Sequence, residues 1–487
     1  MKTTKNLLTA ALLTLCVTGL AATPATAQDI SPAKRSALDI TEALRPTIDK
    51  MAIDLWNYSE TALREHQSAE MLASLMEKEG FTLERGVAGM PTAFVASYGS
   101  GAPVIGILAE YEALPGVGNA AVPHKQARED GVTSGQGCGH NLFGAGSVGG
   151  ALALKRAMEK HKLPGTIKLF GSPAEETVVG KVYMANAGVF EGLDAVLVWH
   201  PGLDNSVSNQ PGRALNNFTV EFFGQAAHGS ADPWNGRSAL DAVELMNHAV
   251  NMMREHILPT ARIHYVIPNG GDAPNVVPEY AKVWYFARGL NREEVQDYYD
   301  RIIKIAEGAA LSTGTTHKVF LITGVHEYLL NRPLQEALQA NLELVGAPEF
   351  NDADHSFAKA LQKVVGKEEK GYDGEITPLP DEPGLVEGGS SDVAEVSYLS
   401  PTGEFSVTTA AADVPWHSWA TSACHGTAAA RKGAVIAAKI IAATGVDLLT
   451  DAGLRASAKE FFDNATEGTP YVSPIPLDQK VPLPEDN

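Results

Sequence analysis

Apolar residues recur three and four apart between Pro32 and Gly80, through Leu44, Ile48, Met51 and Leu55 and again through Met71, Leu72, Leu75 and Met76. That period predicts a run of helices. The pattern then changes. Apolar runs at 104–108, 166–170 (broken by Lys168) and 195–198 are too short for buried helices and read as strands, with a helix of small residues at 142–160 between the first two. Such runs, separated by helices, predict a largely parallel sheet covered on both faces. After Arg213, strands at 218–223, 262–267, 281–287 and 318–322 alternate with helices at 238–257 and 292–310. This strand-helix-strand-strand-helix-strand order predicts a small α+β sandwich of ferredoxin-like type, whose free edge or helix face suits dimerisation. Helical patterning resumes near Arg332. The acidic, Gly- and Pro-rich stretch 366–389 reads as a surface loop, and the tail from Thr469, with five prolines, as an extended wrap. The fold class is α/β. A main domain at 32–213 and 332–455 is interrupted by a dimerisation and lid domain at 214–331 and followed by a Pro-rich tail at 456–487.

Composition narrows the function. A length of 487 residues fits two or three domains, and 44% apolar with 20% charged residues excludes wholesale disorder. A net charge of -20 repels nucleic acid and anionic membrane surfaces, so neither is an expected partner. Three cysteines cannot supply a disulfide framework. Lys2 and Lys5, the apolar residues 7–20 and Ala25-Thr26-Ala27 predict a signal peptide cleaved near Ala27. Leu15 is too bulky for a lipoprotein signal at Cys16, and no later segment reaches the ~20 continuous apolar residues of a membrane span. The expectation is an exported, periplasmic protein retaining Cys138 and Cys424.

The predicted strands end in chemistry. Residues 104–108 lead into Glu110-Tyr111-Glu112, 166–170 into Pro173-Ala174-Glu175-Glu176, and 195–198 into Trp199-His200-Pro201. In open α/β sheets the site lies beyond the carboxyl ends of the strands, so these loops converge. Gly137-Cys138-Gly139-His140 precedes the small-residue helix, and its glycines allow thiol and imidazole to face one centre. Alone, each motif also fits a structural loop, a solvated helix start or a buried histidine. Together, thiolate, imidazoles and carboxylates form a ligand set for one or two cations such as Zn²⁺ or Mn²⁺. A nucleobase deaminase is excluded, because no Pro-Cys-x-x-Cys element exists. A cysteine-nucleophile amidase built on Cys138 would leave Glu175, Glu176 and His200 unexplained. A non-catalytic metal- or solute-binding protein would need no spare carboxylate, whereas Glu175 beside Glu176 offers both a base and a ligand.

These motifs, in this order and spacing, resemble the amidohydrolase branch of the aminoacylase and carboxypeptidase metallopeptidases. The resemblance runs from about residue 40 to 455 and includes Gly236-Arg237-Ser238, Gly389-Ser390-Ser391-Asp392 and Pro415-Trp416-His417-Ser418-Trp419. Within that branch the chain is most similar to the aminobenzoyl-glutamate hydrolases, specifically to the B component of a two-component pair. The resemblance implies a hydrolase of N-acyl amino acids with two divalent metal ions per chain. It implies that Cys138 bridges the metals, that His140 and Glu176 complete one site and His200 and His417 the other, and that Glu175 is the general base. His228 is implied to reach across a homodimer to the partner's active site, and Asn275 and Arg288 to bind substrate. A related second subunit is a further implied partner. Glu112 stands where the family more often has Asp, and His425 is a rival to His417 as last ligand.

Overall fold

The computed structural model describes residues 30–386, 388–467 and 470–484, so the expected signal peptide lies outside the described residues. Helices Pro32–Ala43, Arg45–Tyr58 and His66–Lys78 come first. They are followed by β1 (Thr82–Arg85), β2 (Phe94–Ser100), β3 (Val104–Ala109), β4 (Gly165–Gly171), β5 (Ala195–Gly202) and β6 (Ser206–Val207). The chain then builds a second sheet from β7 (Ala214–Phe223), β8 (Arg262–Asn269), β9 (Tyr280–Gly289) and β10 (Thr316–Val325), and returns to the first with β11 (Thr402–Thr408).

The first sheet has the order β1-β2-β4-β3-β5-β11-β6. Its centre is parallel, β4 and β5 flanking β3 and β11 lying beside β5, while the outer pairings are antiparallel. Apolar side chains on both faces of β3 and β5 are buried, as the uninterrupted apolar runs require. Helices His140–His161 and Ala428–Thr450 pack on each other and on β5. Small residues permit the approach: a Cβ on Gly150 would lie 2.7 Å from a methyl of Ile441. Ala428–Thr450, though interrupted by Arg431, Lys432, Lys439 and Asp447, is long and apolar enough to cross a membrane by length and composition, but 78% of its most apolar stretch is buried within the protein.

The second sheet, β10-β7-β9-β8, is antiparallel throughout. β9 buries every second residue, the mark of a sheet with one face on a core and one toward solvent. Helices Ala239–Met253 and Arg292–Thr313 cover the buried face over Phe218, Val220, Val283 and Tyr285, Ile302 reaching down from the second helix. Both start at side-chain caps, Ser238 and Asn291, whose oxygens accept the N–H groups of Asp241 and Glu294. At the sheet edge, β8 exposes Val266 and Ile267.

Three expectations change. β11 is a central strand in a region whose pattern reads as helical. Residues 366–389 are fastened along 205–210, through Thr377 N–H to Asn205 O (2.9 Å) and Gly384 N–H to Asn209 O (2.8 Å), and they wall a cavity as well as meeting solvent. A last helix, Ala452–Ala465, runs through the boundary expected at 455. The segment after it bridges the two cores: Tyr471 donates to Glu395, and the Gln479 amide donates to the backbone oxygens of Leu321 and Ile322 in β10.

Candidate metal centre

The carboxyl ends of β3, β4 and β5 meet the loop before helix His140–His161. There Gly139 sits at φ 82°, and a Cβ would fall 2.8 Å from Pro201 and 2.9 Å from the His425 ring, so only glycine carries the chain from Cys138 to His140 at this point. The turn Glu175–Thr177 after β4 lies between Ala174 and Val178, both left-handed at φ 59° and 51°. That conformation is costly for a β-branched residue and holds the two carboxylates in a fixed loop. His417 is also left-handed, at φ 52°.

Donor atoms converge in two groups that share one sulfur. Cys138, His140 and His200 have ligand atoms within 4.8 Å of one another, and so do Cys138, Glu176 and His417. Cys138 Sγ lies 3.4 Å from His200 Nε2, and Glu176 lies 3.4 Å from His417 Nε2. The grouping differs from the implied one, because His200 rather than Glu176 stands with His140. His200 follows from β5, whose final pleat aims it back at the thiol, whereas Glu176 points toward the Trp416-His417 loop. His425 is buried with Nδ1 2.6 Å from the Gln136 carbonyl oxygen and Nε2 3.2 Å from the Thr409 hydroxyl, and it belongs to neither group. A third group joins Glu110, His140 and Glu175.

The electrostatics of this centre are lopsided. Burial opposes charge on His140, but Glu112, 3.3 Å from Nδ1, and Cys138 outweigh it and hold the ring well above the usual range. Burial pushes Glu175 well up, with Glu110, Asp392 and Glu176 adding to it. Burial likewise lifts Glu176 to about 7 and, with help from Glu176, raises the Cys138 thiol. His200 is held down to about 3 by burial and by His140. Neither nitrogen of the buried His140 makes a well-directed hydrogen bond. A crowd of buried carboxylates, an undirected imidazole and a buried thiol is a donor set suited to cations, since added positive charge offsets the cost of ionising the carboxylates and the thiol. The residues therefore fit a metal centre.

Lys181 answers part of the negative charge. Fully buried, it lies 2.6 Å from Glu110 and 2.7 Å from Asp392, and its backbone N–H also donates to Asp392. Asp392 and Glu110 stand in motifs visible in the sequence, but a lysine in the short helix Gly180–Asn186 carries no sign there of its distant partners. Trp416 Nε1–H donates to Cys138 Sγ at 3.3 Å, an orientation unreadable from composition.

A cavity of about 980 Å³ opens over the centre and is lined by Cys138, Glu175, Glu176, His200 and His417, together with Arg288 from β9. Arg288 lies over the Phe286 ring, and its Nε is buried without a partner. His228 and Asn275 do not line this cavity. They are exposed neighbours in the second sheet's loops, where Gly229 N–H donates to Asn275 O at 2.8 Å. The structure thus brings six of the expected residues and Arg288 to one place, and the other two to another.

Residues 106–436 match the family model described as peptidase family M20/M25/M40. The chain is 38% identical to the B component of the p-aminobenzoyl-glutamate hydrolase of Escherichia coli (strain K12), over 90% of this chain and 96% of that one. It is 32% identical to the Xaa-Arg dipeptidase of Mus musculus, over 66% of this chain and 73% of the relative. Among solved structures it resembles the YXEP protein of Bacillus subtilis, described as a dinuclear metal binding peptidase, with a TM-score of 0.51 at 19% identity over 82% of this chain and 98% of that one.

Proposed function

The chain belongs to peptidase family M20/M25/M40 and is an amide-bond hydrolase, and on that premise we propose that it cleaves N-acyl amino acids of the aminobenzoyl-glutamate type at a centre of two divalent cations. The observation that carries this reading is the Cys138 sulfur shared by two donor groups. Cys138, His140 and His200 would hold one ion and Cys138, Glu176 and His417 the other, and Zn²⁺ or Mn²⁺ suits this mixture of donors. When bound, the cations supply polarisation of the scissile carbonyl and acidification of water. Glu175 takes the proton of the attacking water and returns it to the leaving nitrogen. Arg288, with its unpartnered Nε, receives the carboxylate of the amino acid half. A cysteine nucleophile is the weaker reading, because a reactive thiol needs a lowered pKa and this one is raised.

His228 completes the site from a second copy. Its Nδ1 accepts the N–H groups of Ser230 and Ala231 at 3.1 and 3.0 Å, so the neutral ring carries its proton on Nε2. A donor fixed in this tautomer, exposed and outside its own cavity, suits an oxyanion in a partner subunit. The ferredoxin-like second domain, with its apolar β8 edge, would form the homodimer, and Asn275 beside His228 would touch the same substrate. Because the Escherichia coli relative is one component of a pair, a related second chain is an additional candidate partner. Residues 1–27 would direct export to the periplasm.

Specificity is tested by comparing kcat/KM for 4-aminobenzoyl-glutamate, hippurate, N-acetyl amino acids and an Xaa-Arg dipeptide. Aminobenzoyl-glutamate is expected to give the largest value. A larger value for the dipeptide or for hippurate would overturn the substrate assignment while leaving the hydrolase in place.

A further inference from the structure

Of the acidic side chains lining the cavity, Asp204, Glu382 and Glu404 have no role in the chemistry described so far, and Glu404 alone of the three lies on a strand of the sheet. Glu404, on β11, is half-buried and lines the same cavity as Cys138 and His200. β11 pairs in parallel with β5 so that Glu404 stands opposite Val198 and Ser406 opposite His200. Side chains two apart share a face and are roughly 6.6 Å apart along a strand. Glu404 is therefore one such step deeper than the metal-centre histidine, on the same face of the sheet. The distance is about that of an aromatic ring with its substituent.

The carboxylate has no hydrogen bond or ion pair among the described residues. Lys181, the buried cation on this side of the sheet, is held by Glu110 and Asp392 at 2.6 and 2.7 Å instead. Burial, with Glu110 adding to it, pushes the Glu404 carboxyl up to about 7. Val198 stands beside it on β5 and Ser208, whose backbone N–H donates to the Glu404 backbone oxygen at 2.9 Å, on the other side, while Val178, Val393 and Ala394 line the same cavity and Tyr328 donates its hydroxyl proton to the Thr402 backbone oxygen at 3.1 Å rather than to Glu404. A half-buried acid without a protein partner is stabilised by a ligand that covers it and supplies the missing donor. Arg288 and Arg213, from the second sheet and the segment leading into it, also line the cavity and favour the carboxylate-bearing half of a substrate.

We propose that Glu404 is a specificity-determining residue, the hydrogen-bond acceptor for an amino group carried at the far end of the substrate's acyl half, with the ring of that half lying between Val178, Val198 and Val393. The inference rests on the N-acyl amino acid reading above and extends it to a class: acyl groups with an N–H donor about one ring away from the scissile carbonyl. Acyl groups of the same shape without that donor cover Glu404 and leave it unpaired, and are disfavoured for that reason.

The test is calorimetric binding of 4-aminobenzoate and of benzoate to the full-length protein, as wild type, Glu404→Leu and Glu404→Gln. A hydrogen bond to a charged group corresponds to a preference of about 10- to 100-fold. Wild type is expected to bind 4-aminobenzoate more tightly by that factor. The ratio should fall to about one in Glu404→Leu and to an intermediate value in Glu404→Gln, which keeps an acceptor oxygen without the charge. Equal affinities in wild type, or a ratio that persists in Glu404→Leu, would overturn the proposal. If the leucine variant does not fold, the wild-type ratio and its fall in the glutamine variant decide the matter. The same ratio should appear in kcat/KM for 4-aminobenzoyl-glutamate against benzoyl-glutamate. Hydrolysis of neither, with the binding ratio intact, would defeat the amidohydrolase reading and still support the Glu404 subsite.

Discussion

Glu175→Gln is expected to lower kcat by about 10²–10⁴-fold, the range of general-base catalysis, while the purified variant keeps its bound metal. Position supports the proposed role. Glu175 lies in the cavity, between the strained residues Ala174 and Val178, and 3.9 Å from His140, yet it is in neither group that contains Cys138. Glu176, beside it in sequence, is in one of them. Glutamine preserves the shape and one acceptor oxygen but cannot take a proton at neutral pH. Kinetics together with metal analysis separate the roles. Loss of metal from Glu175→Gln would mean that the two glutamates have been exchanged, and unaltered turnover would place the base elsewhere.

His228→Ala is expected to cost about 10²–10³-fold in turnover, the loss typical of one oxyanion donor, although His228 does not line its own chain's cavity. The mixed dimer isolates the effect. When His228→Ala and Glu175→Ala subunits exchange, one site of a heterodimer combines an intact Glu175 with an intact His228 from the other copy. Partial activity should then return from two inactive preparations. Verified exchange with no recovery would exclude action across an interface. Full activity of His228→Ala alone would reduce the residue to a loop histidine whose Nδ1 fastens the turn at Ser230 and Ala231.

The parts legible in the sequence are those where local chemistry and fold agree. β3 and β5 are apolar runs because they are buried within the sheet, and β4, interrupted only by Thr166 and Lys168, is apolar enough beside them that the strands and the acids and histidine at their ends can be read together. The strand-helix-strand-strand-helix-strand order marks the second sheet in the same way. β11 is hidden by its use. Its Thr-Gly-Glu-Phe-Ser-Val-Thr alternates polar and apolar residues as an exposed strand does, yet it lies inside the sheet, and Glu404 on its polar face meets the cavity instead of solvent. Lys181 is illegible for another reason: a buried ion pair between residues far apart in the chain leaves no local pattern. The division of ligands around Cys138 is beyond the sequence too, since it depends on whether His200 or Glu176 turns toward His140, a matter of side-chain direction at the end of β5.

If hydrolysis depends on cations held around the Cys138 sulfur, the most direct check is turnover of 4-aminobenzoyl-glutamate by metal-stripped protein during stepwise return of Mn²⁺ or Zn²⁺, with bound metal counted at each step. The stripped protein should show no turnover, and activity should rise to saturation near two ions per chain, a rise absent in Cys138→Ala. Full turnover by the metal-free protein would contradict the metal centre and restore the cysteine-nucleophile reading.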